Sequence, residues 1–451
     1  MNTRAGNPCA CVIAGLGRTG FSCVRYLRKR GWRLSVTDTR AVPPQLAQLR
    51  ELDPEIPVHT GRLDPALLDG AVCVVASPGL ALDQPFFAEA RRRGIEVLGD
   101  VELFARAADA PVAGITGTNG KSTVTTLLGR MAARAGIDVR VGGNLGEPAL
   151  DLLASAEQAA KPPGLYVLEL SSFQLETARS LELKAAAVLN VSPDHLDRYA
   201  SLEAYALAKA RIFERCDTAV VNLDDPLVAR MPRAGQRVLG FSLRDLPGAE
   251  YTLQDRGGLW LARRAQPVLP ISALKVQGLH NAANALASLA LGEALEVPLP
   301  AMLAELMEFP GLAHRTQWVG EAGGVRYVDD SKGTNVGATL AAVSGLAGPL
   351  VLIAGGEGKN QDFAPLAQAL RGKVRHAVLI GRDAAPLAAA LRGACSIEQS
   401  GTMEEAVRAA ARAARPGDTV LLSPACASLD MFRDYAHRGE EFARAVRELR
   451  P

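Results

Sequence analysis

Apolar residues in this chain come in short runs that end in Gly, Ser, Pro, Asp or Asn and give way to stretches with helical spacing. Three times a β-type apolar run, a glycine turn and a helical pattern follow one another. These are CVIAGLGRTG then FSCVRYLRKRG, APVAGITGTNGKST then VTTLLGRMAARAG, and GPLVLIAGGEGKNQD then FAPLAQALRG. Further strand-like runs lie between them: AVCVVASPG, LYVLELSS, AAAVLNVSPDH, TAVVNLDD, HAVLIGRD and DTVLLSPACAS. Such alternation builds parallel sheets covered by helices, so the predicted fold class is α/β. Ligands of open parallel sheets bind beyond the strand C-termini, where the polar terminators fall. Residues 236–276 hold shorter alternating pieces (RVLGFSL, YTLQD, GLWLARR) and predict a small antiparallel excursion.

A chain of 451 residues, 48% of them hydrophobic, is too long for one core and too apolar for disorder. Loop signals near Gly99, before the helical DVELFARAAD, and at Pro310 and Gly311 divide it into 1–99, 100–311 and 312–451. A formal charge of +2 argues against nucleic acid or an anionic membrane as partner, so local basic groups must hold any anion. The first residues lack the apolar core of a secretory signal, and no apolar run reaches about 18 residues, so no membrane insertion is expected. Seven scattered cysteines without CxxC spacing read as reduced thiols of a cytoplasmic protein. Cys9 and Cys11 have no matching second pair and read as buried small hydrophobes, not metal ligands.

The segment with the sharpest chemistry is a strand ending at Ile115, the loop TGTNGKST, and a helix beginning near Val124. This is the context of a phosphate loop. Backbone N–H groups of Gly117, Thr118, Asn119 and Gly120 would face phosphates, Lys121 would neutralise them, and Ser122 or Thr123 would reach Mg2+. The GxxxxGK[ST] spacing asks for glycine where Ile115 stands, and Gly114, Gly117 and Gly120 supply a variant pattern. Hydrolysis, phosphoryl transfer, ligation and motor function all use such a loop. Glu169 in LELSSFQLE and Asp194, His195 and Asp197 in VSPDHLDRY lie near strand ends and could ligate a phosphate-bridging metal. Equally, Glu169 could cap a helix and His195 could be an ordinary loop residue. GLGRTG, with Asp38 about 20 residues on, fits a dinucleotide fingerprint, but an oxidoreductase using Gly15, Gly17 and Gly20 leaves the central loop unexplained.

Taken together, GITGTNGKSTVTTLL, GGNLGEPAL, YVLELSSFQLE, LNVSPDHLDRY, AKARIF, LHNAANALA, GLAHRTQ, DDSKGTNVGAT and LLSPACASLDMF resemble the Mur ligases of bacterial cell-wall synthesis over essentially the whole chain. The resemblance implies three domains: Rossmann-like N- and C-terminal parallel sheets flanking a central P-loop ATPase-type α/β domain. It implies ATP-dependent ligation of D-glutamate to UDP-N-acetylmuramoyl-L-alanine through an acyl phosphate, in peptidoglycan precursor synthesis and so in cell shape and division, by a monomer. A folylpolyglutamate synthase-like ligase shares the ATP loop, but LELSSFQLE and the N-terminal unit disfavour it.

By the same resemblance Lys121, Glu169, His195 and Lys209 are catalytic. Two Mg2+ ions are expected, held by Ser122, Glu169, His195 and a carbamylated Lys209. ATP is expected at residues Gly117 to Thr123, Asn281, Asn284, Arg315 and Asp330, with closure needed to bring Arg315 to Lys121. The UDP substrate is expected at Arg18, Thr19, Thr39, Arg40, Pro78, Gly79 and Asn144, and D-glutamate at Lys332, Thr334, Lys359, Ser428 and Tyr435.

Overall fold

The structure, a computed structural model, describes residues 9–449 except 160, 277 and 347. The expectation about a secretory signal falls partly on residues 1–8, outside the described residues. Every apolar run named above is a strand, and the strands form three sheets. The first is five-stranded and wholly parallel, in the order Val58–Thr60, Arg33–Asp38, Ala10–Ala14, Cys73–Ala76, Glu96–Leu98. Strand order reverses on either side of Ala10–Ala14, and such a reversal opens a crevice at the strand ends.

The second sheet has nine strands, in the order Gln266–Pro270, Leu259–Arg263, Ala249–Asp255, Arg237–Ser242, Cys216–Asn222, Leu183–Val188, Val112–Thr116, Leu165–Glu169, Val139–Gly143. The antiparallel excursion expected over 236–276 needs correction. Arg237–Ser242 and Ala249–Asp255 extend the parallel sheet, and only the last two strands run antiparallel. The chain first reverses at Arg256, Gly257 and Gly258, both glycines at positive φ, and again at Arg264 and Ala265, also at positive φ, in a two-residue turn that suits antiparallel pairing. The longer 243–248 connection lets the chain return in the same direction, which alternation within single strands does not reveal. Helices Lys121–Arg134 and Leu279–Ala294 pack on this sheet through Leu127, Leu128, Met131, Leu286 and Leu289.

The third sheet runs Gln317–Ala322, Val325–Asp329, Thr419–Leu422, Leu350–Gly355, Val374–Ile380, Ser396–Gln399 and is parallel except for its first hairpin. The first two sheets are joined by helix Asp100–Ala105. It buries Val101, Leu103 and Phe104, with Phe104 edge-on to Tyr166 at 5.1 Å. Burying each of these side chains contributes about 1.5–3 kcal/mol, enough to make the joint a packed one. No helix among the described residues is long and apolar enough to cross a membrane, and the seven cysteines are unpaired.

Candidate active site

Strand Val112–Thr116 lies inside the nine-stranded sheet, and its loop leads into a helix that starts at Lys121, three residues before the position expected from sequence. Gly120, at φ +85°, turns the chain left-handed, and helical geometry follows at once. Lys121, Ser122 and Thr123 therefore form the first turn, whose N–H groups lack intrahelical partners and suit an anion. A Cβ at Gly120 would collide with Asn284 Oδ1, so the loop meets helix Leu279–Ala294 only because residue 120 has no side chain. Lys121 Nζ donates to the carbonyls of Gly117 and Thr118, both at 2.9 Å. Asn190, at the next strand end, pins the loop: Asn119 N donates to Asn190 Oδ1 at 2.8 Å, and Asn190 Nδ2 to Asn119 O at 3.0 Å.

Glu169 ends the strand beside the phosphate loop and is 3% exposed. Its Oε1 accepts from Asn144 Nδ2 at 2.7 Å, and its Oε2 is buried with no hydrogen-bond partner among the described residues. Burial pushes the carboxyl up, yet Lys121, Ser122, Asn144 and Arg315 outweigh it and hold the group below the ordinary carboxylate value. A buried anion with one unsatisfied oxygen fits a hard cation, so the helix-cap reading of Glu169 fails.

His195 sits at φ +55° in the loop after Leu183–Val188, its ring 5.0 Å from that of Phe173. Burial lowers its pKa to about 4 against the pull of Asp194, leaving a neutral imidazole, the form that ligates metal.

Lys209, in helix Leu202–Ala210, is 1% exposed and not a solvated helix lysine. Its Nζ donates to Gly117 O at 3.0 Å and lies 4.3 Å from the Tyr205 ring centroid. Burial, then the Lys121 charge, depress its pKa far below the usual lysine value. No group of three His, Cys, Asp or Glu side chains among the described residues is arranged to hold a metal. The expected set of Ser122, Glu169, His195 and Lys209 contains one carboxylate and one imidazole, and is completed by a hydroxyl and an amine.

The third sheet sends its strand ends to the same place. Arg315 Nη2 donates to Ser122 Oγ at 2.8 Å, a contact between the second and third sheets. Asp330 accepts from Ser423 Oγ at 2.7 Å and Thr316 N at 3.1 Å, and burial raises its carboxyl to about 7. Lys332 Nζ lies 3.8 Å from the Tyr435 ring centroid; burial, then Arg315 and Lys121, lower its pKa to about 8. Lys359 is paired with Asp194 at 2.9 Å. Of the five residues expected to hold one amino acid, the structure brings Lys332 onto Tyr435 and turns Lys359 to Asp194, in the loop after Leu183–Val188. Thr334 is partly buried beside Lys332, and Ser428 is buried in the loop after Thr419–Leu422. Arg438 ties these loops together through Ser331 O at 2.9 Å and Cys426 O at 3.0 Å.

Two clefts lie at these strand ends. The first, of about 800 Å³, has Asn119, Gly120 and Thr123 facing Asn281, Asn284, Arg315 and Asp330, with Phe241 and His280 also in its wall. The second, of about 1090 Å³, lies at the strand ends of the first sheet and is lined by all seven residues expected there: Arg18, Thr19, Thr39, Arg40, Pro78, Gly79 and Asn144. Asp38, 1% exposed, accepts from Leu16 N at 2.7 Å and Arg40 Nη2 at 2.6 Å, so it braces the glycine turn. Arg18 Nη2 donates to Gly146 O at 2.9 Å and Arg198 Nη2 to Leu80 O at 3.2 Å, which close the cleft against the central sheet. Sequence reasoning passed over Asn190, Asn335 and Gln174. Each is a polar residue at a strand end or helix start inside a quoted motif, which was the only signal available.

Comparison with known proteins adds to this geometry. The chain matches the family described as Mur ligase MurD-like, N-terminal domain, over residues 9–99. It matches the Mur ligase middle domain over 115–292 and the Mur ligase, glutamate ligase domain, over 314–426. It is 50% identical over 439 residues to the UDP-N-acetylmuramoylalanine--D-glutamate ligase of Methylococcus capsulatus, covering 97% of this chain and 94% of the relative. With the enzyme of the same name from Pseudomonas aeruginosa the identity is 50% over 443 residues, 97% and 98% of the two chains. Among solved structures, the UDP-N-acetylmuramate-alanine ligase of Thermotoga maritima superposes with a TM-score of 0.62 at 18% identity, covering 97% of this chain and 99% of its own. MurF of Acinetobacter baumannii gives 0.62 at 16%, covering 97% and 90%. Likeness at these identities shows the fold alone.

Proposed function

The chain belongs to the Mur ligase family, and from that premise we propose that it ligates D-glutamate to UDP-N-acetylmuramoyl-L-alanine, converting ATP to ADP and phosphate, in peptidoglycan precursor synthesis. The observation that carries the proposal is the pair of contacts that lead from the two clefts to the start of the helix after the phosphate loop: Asn144 of the N-terminal cleft binds Glu169, and Arg315 of the other cleft donates to Ser122. A UDP-linked substrate lying in the N-terminal cleft, along Arg18, Thr19, Thr39, Arg40, Pro78 and Gly79, would bring its terminal carboxylate past Asn144 to the phosphate loop. Asp38, the group a dinucleotide fingerprint would use on a ribose, is engaged by Leu16 and Arg40, which weighs against an oxidoreductase.

Phosphoryl transfer to a carboxylate opposes two anions, so the site must gather positive charge. Lys121, Arg315, Lys332 and Lys359 share one field, in which each cation lowers the proton affinity of Lys332. A polyphosphate relieves that repulsion. Lys121 would exchange the carbonyls of Gly117 and Thr118 for the phosphates, and Arg315 would act from the far wall. The substrate carboxylate forms a bond to the γ-phosphorus as the bond to ADP breaks. The D-glutamate amine then bonds to the acyl carbon and phosphate departs, with Lys332, Thr334, Lys359, Ser428 and Tyr435 holding the amino acid's carboxylates.

The donor set fits magnesium through the unsatisfied Oε2 of Glu169. Ser122 and Glu169 would hold one ion and His195 a second, neutralising phosphate and acyl oxygens. Lys209 is buried among these groups. Addition of CO2 to its uncharged amine forms a carbamate and releases one proton, converting it into an anionic ligand for the second ion.

The division at 1–99, 100–311 and 312–451, a monomeric state and a cytoplasmic location complete the reading. A phosphate-release assay with UDP-N-acetylmuramoyl-L-alanine and a panel of amino acids tests it. Release that depends on D-glutamate alone is expected, and release with another amino acid only would overturn the assignment.

A further inference from the structure

Asn335 has more hydrogen bonds than its place at a helix start requires. It precedes helix Val336–Gly345 and is 2% exposed. Its Oδ1 accepts from Ala338 N at 2.8 Å, capping the helix, and from Asn119 Nδ2 at 3.3 Å. Its Nδ2 donates to Asn119 Oδ1 at 3.1 Å and to Asp194 Oδ2 at 3.2 Å. Four hydrogen bonds saturate a primary amide, so every capacity of this side chain is committed.

The partners belong to different parts of the site. Asn119 is the tip of the phosphate loop. Asp194 Oδ1 accepts from Lys359 Nζ at 2.9 Å and from the backbone N of His195 at 2.9 Å. Gly337, in the first turn of the helix, comes so close to the central loop that a Cβ there would stand 2.9 Å from Ser192 Oγ. We propose that Asn335 is a positioning residue that sets the amino-acid side of the site, Lys359 and the loop carrying Lys332 and Thr334, in register with the phosphate loop. This rests on the function proposed above and adds the group that couples its two halves.

Two side-chain replacements separate this role from the helix cap. Serine caps as well as asparagine does but is too short to span to Asn119 and Asp194. Aspartate also caps, yet it places a carboxylate against that of Asp194. In either variant the phosphate loop stays pinned by Asn190. The loss therefore falls on Asp194 and Lys359, and on the acceptor rather than on the nucleotide.

The test is steady-state kinetics and thermal melting of the full chain. Asn335→Ser is expected to raise KM for D-glutamate roughly 10- to 100-fold, with KM for ATP within about twofold and the melting temperature within about 2 °C. Asn335→Asp is expected to be worse in the same direction. An unchanged KM for D-glutamate, or both KM values rising together with a lower melting temperature, would overturn the proposal. Should the wild type itself not use D-glutamate, the proposed function falls while the coupling is still measurable. Solution scattering of ligand-free Asn335→Ser should then give a larger radius of gyration than wild type, and equal radii would refute it.

Discussion

Asn144 binds Glu169 twice, from Nδ2 to Oε1 at 2.7 Å and from its backbone N to the Glu169 carbonyl at 2.8 Å. The wall of the N-terminal cleft and the buried carboxylate beside the phosphate loop are thus one mechanical unit. Asn144→Ala leaves both oxygens of Glu169 without a side-chain partner, a loss of about 1–3 kcal/mol in the ligand-free protein. Magnesium with ADP should restore most of the stability, and kcat/KM for the UDP substrate should fall roughly 10- to 100-fold. Thermal melts with and without Mg-ADP check this, and identical melting in all four cases would count against the metal assignment of Glu169.

Lys209→Ala should lower ligation at least about 100-fold, because the anionic metal ligand proposed at this position would be lost. Small carboxylates such as formate or acetate should recover part of the rate. Full activity of the variant without additives would rule out a carbamate at this position.

Burial raises Asp330 from the ordinary 3.8 to about 7, so in this window the folded protein binds more protons than the unfolded chain. Stability should therefore fall as pH rises from about 4 to about 7 and level off above. Asp330→Asn keeps acceptor and donor for Thr316 and Ser423 and removes that slope. It should stabilise the ligand-free protein at pH 8 by about 1–3 kcal/mol while weakening ATP binding. Urea unfolding at pH 5 and pH 8 decides it, since parallel profiles for wild type and variant would exclude the effect.

Gly120→Ala meets two obstacles, a left-handed backbone and a collision with Asn284. A destabilisation of about 1–3 kcal/mol is expected, together with loss of nucleotide affinity as the loop moves from helix Leu279–Ala294. Calorimetric titration with ADP measures the second effect. Wild-type affinity in the variant would show that the loop does not need this contact.

Much of this protein was already readable in one dimension. Apolar runs closed by Gly, Ser and Asp fixed strands, helices and the α/β class, because burial on a parallel sheet and backbone turning are local demands on residue type. Gly117 to Thr123 announced a phosphate loop for the same reason, and the resemblance carried the seven residues that now line one N-terminal cleft. What lay beyond the sequence depends on neighbours about 90 to 220 residues away in the chain. The burial of Lys209 against Gly117 is settled by the rest of the chain packing around it. The same holds for Lys359, which lies against Asp194, and for Asn335, which links Asn119 to Asp194. A spacing rule reports which face a side chain takes, and only the folded chain decides what stands opposite it.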